Sequence, residues 1–454
     1  MTTIPSISPR LLLSGLCAVF CFTACGGASR GVAPPTSTTP AASPDSLTGF
    51  ARDDRQAELD REDQFRSAIS AISVRATLDA AADAPWLLAE FTAAGLDAGL
   101  WTSEGTHTMA RLEGSDATGQ VILLAAAGSD PSGVAGLLEV ARGLGALART
   151  GWQPRRTMVL AVWDGDRPAR KSARAWMETG PMEAASTTMA MLAVDGGLSG
   201  DAFRIAATPD LRVLAVRLLP RDVTIASPDG RGAAGVFLAA GISTLEIARS
   251  SGTMSRRRRA SANPGDILAG ARLWGTLALR LSEAALPPHN LAVTAQRTLM
   301  GLRRIEDDAG AAFGGNPPPS RDLRVAILRL RHAAEAWNNT AGALLAARGT
   351  ISRGPEPDGE RAALEAAGRL ALSAGRMLGP GGHEEGVCRS VLYCPATGKD
   401  RPAILLPGLA QAVAREDRTG YVTEILALAM VVRQAGQRLA EATDLLPRST
   451  RETP

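Results

Sequence analysis

Histidine is nearly absent from this chain. Four occur in 454 residues, and none lies between His107 and His289. The middle of the sequence therefore offers no imidazole as a metal ligand or general base. Cysteine is as scarce: three of the five stand in the first 25 residues, and only Cys388 and Cys394 follow. Two cysteines alone do not make a metal site. In the extended-looking run CRSVLYC a straight strand holds them roughly 20 Å apart, too far for a disulfide, although a bend would bring them together. Aromatic residues are 4% of the chain, with Ala, Leu, Gly and Arg in their place. No G-x-S-x-G elbow occurs, so a serine nucleophile is not supported. Gly196-Gly197 and Gly314-Gly315 lack the strand–helix setting of a phosphate loop. The net charge of +3 is spread along the sequence and makes no case for nucleic acid. No repeat of fixed period is found. What remains is a chain long enough for two or three domains, with 45% hydrophobic residues to fill a sizeable core.

Residues 1–25 read as a targeting segment. Arg10 precedes the apolar run Leu11 to Phe22, which is too short to remain as a membrane-spanning helix. Phe22-Thr23-Ala24-Cys25 resembles a bacterial lipobox, with Phe22 in place of the usual Leu. That resemblance implies acylation of Cys25 and a stable lipid anchor, each buried methylene contributing about 0.8 kcal/mol. Gly26 follows where an Asp would retain the protein elsewhere, so the expectation is a cell-envelope lipoprotein of the outer membrane. Residues 26–51 are rich in Gly, Ala, Pro, Ser and Thr and read as a flexible tether.

Periodicity organises the rest. Phe65, Ile69, Ile72 and Ala76 fall at helical spacing, and Pro85 opens a helix that Gly95 ends. Strands are expected at 98–101, 108–112, 121–127, 157–163, 189–194, 203–206, 236–238 and 244–247, with helices at 132–148 and 169–177. This alternation predicts an α/β core over 52–286 with a mostly parallel central sheet flanked by helices. After Leu286-Pro287-Pro288 the pattern turns to Ala/Leu/Arg-rich helical stretches at 290–307, 322–348, 359–378 and 420–446. They predict an all-α bundle over 287–446, followed by a short tail at 447–454.

Five stretches, in order, resemble the glutamate carboxypeptidase II and transferrin receptor family of zinc exopeptidase folds. They are THTMARLEGSDATGQVILLAAAGSDPSGVAGLLEVARGL, GWQPRRTMVLAVWDGD, AMLAVDGGLSGDAFRI, SPDGRGAAGVFLAAGISTLEI and GHEEGVCRSVLYCPATGKDRPAILLPGLAQAV. The family's apical, protease-associated insertion has no room between Gly105 and Gln120. The last stretch implies a transferrin receptor-like dimerisation domain, hence a homodimer through the C-terminal helices.

The resemblance also implies a metal site, and the residues depart from it. Such peptidases hold two zinc ions bridged by a carboxylate and an activated water. Asp130 stands at the bridging position and Asp195 at the Asp ligand on the later strand. Ala125 to Ala127 stand where the first His ligand ends its strand. The second His is replaced within ARSSGTMSRRRRAS. Asp166 occupies the general-base position, one methylene shorter than Glu. Arg167 occupies the position of a Glu ligand, and a guanidinium neither ligates zinc nor loses its charge. One expectation is that Arg167 pairs with Asp130 or Asp195 and fills the old pocket.

Other candidates read blandly. His107 is expected at a polar strand edge, His289 as a structural residue at the domain junction, His332 on a solvated or interhelical face. His383-Glu384-Glu385 lacks zincin spacing and reads as loop. Arg256 to Arg259 reads as a solvated loop, with an acidic headgroup or partner as the sharper alternative. The expectation is a membrane-anchored homologue without cofactor or catalysis that binds a peptide or protein, or scaffolds one. The alternative is a zinc-dependent exopeptidase with a site rebuilt from Asp130, Asp166, Asp195 and a histidine from elsewhere.

Overall fold

Three apolar runs have β-branched and aliphatic side chains on both faces, which suits strands covered on both sides. In the computed structural model they are β3 (Val121–Ala127), β4 (Thr157–Trp163) and β5 (Thr188–Val194), and nearly every residue in them is buried. The structure describes residues 52–78, 83–102, 105–115, 120–163, 169–179, 187–194, 197–200, 202–219, 223, 225–228, 233–250, 263–348, 358–378, 380–384, 387–390, 393–394 and 404–446. The targeting segment with Cys25, the tether, Asp166, Arg167, Asp195 and Arg256 to Arg259 lie outside them.

The described strands β1 (Asp97–Thr102), β2 (Thr106–Leu112), β6 (Ala202–Ala207), β7 (Ile225–Ala226) and β8 (Ser243–Ser250) join those three in one sheet, ordered β1-β2-β4-β3-β5-β8-β6-β7. The centre, β4-β3-β5-β8, is parallel, with Leu124 beside Leu160 and Leu192. The flanks are antiparallel, β2 against β4 and β6 against β8. The sheet is therefore mixed: crossover helices order its middle and hairpin-like pairing its margins.

One face is covered by α1 (Arg52–Ala68), α2 (Ala71–Leu78), α3 (Ala84–Ala93), α4 (Pro131–Arg149) and α8 (Pro264–Glu283), whose apolar sides share a core with Ile122, Leu124 and Leu160. The other face carries α5 (Ala169–Thr179) and α7 (Ala234–Ala239), packed with Trp163, Trp176 and Phe237. The short helix α6 (Arg212–Leu218) follows β6.

Close approach of α1 and α4 to their neighbours rests on small residues. The Phe65 ring lies where an added Cβ on Gly143 or Gly275 would fall, 2.4 and 2.0 Å from those positions. Arg280 Nε donates to Glu62 Oε1 at 2.6 Å beside it. A Cβ on Gly145 would stand 1.7 Å from the Ala94 carbonyl oxygen, so α4 crosses the end of α3 backbone to backbone. Buried Glu139 accepts from Ser70 N at 2.9 Å and pairs with Arg142, which reaches Glu90 at 2.6 Å.

From Leu286 onward the described residues build a second apolar cluster. It is formed by α9 (Leu291–Ala312), α10 (Arg321–Arg348), α11 (Asp358–Met377), α12 (Pro407–Ala414) and α13 (Arg418–Asp444). This part is not purely helical. Two ribbons, β9 (Pro380–Glu384) with β10 (Val387–Ser390) and β11 (Tyr393–Cys394) with β12 (Ile404–Leu405), stand between α11 and α12. Cys388 and Cys394 thus belong to different ribbons, not one straight strand; their side chains lie outside the description.

Two expectations fail locally. Residues 236–238 are helical, not extended. The Ala/Gly-rich context favours the compact backbone, and Gly241 at φ +72° ends the turn before β8 begins. Ile72 is 84% exposed instead of on the apolar face, because the chain breaks between α1 and α2 and restarts the helical phase.

Candidate functional site

Ligands of open α/β sheets gather at the carboxyl ends of the strands. Here that end is formed by Ala127, Trp163, Val194 and Ile247. The turn after β3 is fastened to β4: Gly128 N donates to the Trp163 carbonyl at 2.7 Å, and Asp130 N to the Ala127 carbonyl at 2.9 Å. Asp130 then opens α4 in an extended conformation, with Pro131 preset for the first turn.

The Asp130 carboxylate is held asymmetrically. Oδ1 accepts from the Ser132 hydroxyl at 2.8 Å. Oδ2 is enclosed against the start of α4 and makes no hydrogen bond of good geometry. Burial raises the Asp130 pKa above the usual carboxylate value, and the Ser132 hydroxyl with the backbone amides of Gly133 and Ser132 only partly offsets this. Ser132 also accepts from Leu198 N at 2.9 Å, tying the start of α4 to the segment after β5. Gly197 runs at φ +89°, and a Cβ there would press on Ser132 Oγ at 2.9 Å.

Arg249, at the end of β8, secures the far side of the corner. Its Nε donates to the Gly200 carbonyl at 2.8 Å, its Nη2 lies 3.3 Å from Asp266 Oδ1, and its guanidinium covers the Phe203 ring. Sequence reasoning passed over both Ser132 and Arg249. The Asp-Pro-Ser start of a helix is a readable capping signal; the role of Arg249 depends on a pairing register that no local pattern reveals.

The histidines do not converge here. His107 is fully buried, not at a polar edge. It sits one residue before Thr108, which pairs with Val162, so it lies beside the carboxyl end of β4. Its ring packs against Trp101 at 5.1 Å and Trp163 at 5.8 Å, with Trp176 completing the aromatic cluster. Strand alternation turned it inward, where three indoles exclude water. His289 lies largely covered at the opposite end of the strands, and desolvation lowers its pKa. His332 is exposed on α10. His383 pairs through its backbone with Cys388 in the β9–β10 ribbon.

Among the described residues no three His, Cys, Asp or Glu side chains come together in a metal-holding group. Among the described residues the donors at this corner do not by themselves make up a dinuclear zinc centre. Ala127 ends β3 with a methyl group, and Arg249 occupies the end of β8 with a fixed cation. Among the described residues at this corner, Asp130 offers the carboxylate.

No family model matches the chain. Over 106 residues it is 37% identical to the probable glutamate carboxypeptidase VP8 of Zea mays, covering 23% of this chain and 14% of the relative. The chain carries a glutamate carboxypeptidase-like stretch. Over 83 residues it is 40% identical to the probable glutamate carboxypeptidase LAMP1 of Arabidopsis thaliana, 18% of this chain and 12% of that one. The matches thus span about one seventh or less of these relatives' lengths. Among solved structures, a zinc aminopeptidase from Bacillus subtilis aligns with a TM-score of 0.31 at 11% identity, over 39% of this chain and 50% of its own. Glutaminyl cyclase from Porphyromonas gingivalis aligns at 0.36 and 16% identity, over 47% and 97%. Among the described residues no helix is long and apolar enough to cross a membrane.

Proposed function

We propose that the protein is a glutamate carboxypeptidase-like homologue that no longer holds zinc or hydrolyses peptides, and that it serves as a binding or scaffold protein. The donor set at the carboxyl ends of the parallel strands supports this most directly. Asp130 offers one enclosed carboxylate, Ala125 to Ala127 stand where the resemblance expects the first imidazole, and the guanidinium at the end of β8, Arg249, is paired with Asp266. At the sequence level Arg167 stands in place of a carboxylate, next to Asp166. Zinc binding needs several deprotonated donors at once, and these residues do not supply them.

In this reading Cys25 anchors the chain to the outer membrane of a bacterial envelope. Residues 52–286 form the peptidase-like core and 287–446 a helical dimerisation domain. Val422, Leu426 and Met430 support the homodimer. They stand four residues apart on α13 and are 40%, 57% and 55% exposed, an apolar stripe of the kind that seeks a partner.

The test is metal analysis of purified protein after zinc loading, alongside an assay with an acidic dipeptide. The expected result is less than one tightly held zinc per chain and no turnover. Two equivalents of zinc, lost on Asp130→Ala together with turnover, would overturn this reading. They would establish the second one, a metallo-exopeptidase rebuilt around Asp130, Asp166, Asp195 and another histidine. The bare Asp130 Oδ2 and the place of His107 beside β4 favour that alternative, and the enclosure of His107 among indoles opposes it.

A further inference from the structure

The amino ends of β5 and β8 meet α9 and α11 around a cavity of about 90 Å³. A single enclosed water needs about 10–15 Å³, so the space takes several atoms beyond one solvent molecule. It lies at the end of the strands opposite Asp130 and owes nothing to the reading given above.

His289 forms one wall. Its Nδ1 is 3.9 Å from Asp210 Oδ2, and that carboxylate also accepts from the Ser243 hydroxyl. Its Nε2 is buried without a hydrogen-bond partner. Burial pulls the ring's pKa down; Arg156 and Arg376 add to the effect and Asp210 opposes it. The imidazole is therefore neutral at neutral pH. A proton on Nδ1 faces the carboxylate, which leaves Nε2 as an acceptor. The cavity thus presents an acceptor that asks for a donor.

Two arginines line the same space. Arg297 of α9 donates to the Ser227 hydroxyl at 3.1 Å, and Arg376 of α11 to the Thr188 carbonyl at 2.7 Å. With Asp210 they give the wall an excess of one positive charge. Guanidiniums favour carboxylates through paired N–H donors. Leu291 and Leu378 supply apolar surface. This combination of an apolar wall and a few convergent polar groups is how small-molecule sites are built.

We infer that this cavity binds a small aliphatic carboxylate carrying a hydroxyl or amino donor next to its carboxyl group. Arg297 and Arg376 take the carboxylate, His289 Nε2 takes the donor, and the hydrocarbon lies against Leu291 and Leu378.

The experiment is thermal unfolding and isothermal titration of the full chain with L-lactate, L-alanine, propionate and inorganic phosphate as probes. A donor-bearing acid at a hundredfold excess over its Kd raises the midpoint by about 3 °C, with propionate well behind. Arg297→Gln, a half-buried residue on α9, lowers the affinity tenfold or more and keeps the fold. His289→Leu erases the advantage of lactate or alanine over propionate. The inference is overturned if neither lactate nor alanine binds, if phosphate alone does, or if Arg297→Gln binds them as well as the parent. Propionate matching both acids in the parent protein overturns the role given to Nε2.

Discussion

The same substitution should have opposite signs at two helical glycines. Gly to Ala inside a helix gains about 0.8–1 kcal/mol from backbone entropy. At Gly310 on α9 an added Cβ meets nothing within 4 Å, so Gly310→Ala should stabilise the protein by about 1 kcal/mol. At Gly145 the added Cβ falls 1.7 Å from the Ala94 carbonyl oxygen and 2.8 Å from its carbon. An unstrained C···O contact needs about 3.3 Å, so the end of α3 must retreat by roughly 1.5 Å. Overpacking of this kind costs about 1–3 kcal/mol, more where backbone must move. The retreat also breaks the 3.0 Å bond from Arg149 Nη1 to the same oxygen, a charged-donor bond of about 1.5–3 kcal/mol. After the helical gain is subtracted, Gly145→Ala should lose about 3 kcal/mol. Urea unfolding followed by circular dichroism measures both variants. A Gly145→Ala protein as stable as the parent would refute the backbone-to-backbone crossing of α3 and α4.

Asp130 has a raised folded pKa, so the native state holds its proton more tightly than the unfolded chain. Its contribution to stability should fall as pH rises from about 3.8 through the folded value, and Asp130→Asn should flatten that part of the pH–stability curve. Unchanged slopes in urea titrations would exclude it. Arg142→Ala leaves the buried Glu139 carboxylate with Ser70 N and the Ser73 hydroxyl but no cation, and should cost about 3–5 kcal/mol by the same assay; a loss under 1 kcal/mol would rule out the pairing. Leu426→Glu with Met430→Glu should convert the expected dimer to a monomer by light scattering, with an unchanged circular dichroism spectrum. A parent protein that is monomeric at 100 µM, on the order of the concentrations at which weak dimers associate, would remove the dimer altogether.

The centre of the fold was readable because Val121–Ala127, Thr157–Trp163 and Thr188–Val194 are apolar throughout, which few structures other than doubly covered strands accept. The margins were harder. AAGVFLAA is a short apolar run whose period does not separate strand from helix, and only packing against α5 decides it. His107 looked polar because its neighbours are threonines, yet alternation along β2 turns the imidazole into the Trp101–Trp163–Trp176 cluster. Asp130 was legible through the resemblance of the stretch that carries it. Its bare oxygen was not, since that depends on what the end of β5 and the start of α4 leave open. The cavity beside His289 joins residues from Met189 to Leu378, and no local pattern announces such a meeting.

The Phe65 ring is enclosed by two backbones that carry no side chain to swing aside, Gly143 on α4 and Gly275 on α8, with the Arg280–Glu62 bond closing the gap. Mechanically this is a bolt through the first helix. Tension entering from the amino-terminal direction reaches it before any strand of the sheet. Withdrawal of the ring requires the two flanking helices to part, so pulling α1 away loads α4 and α8 together.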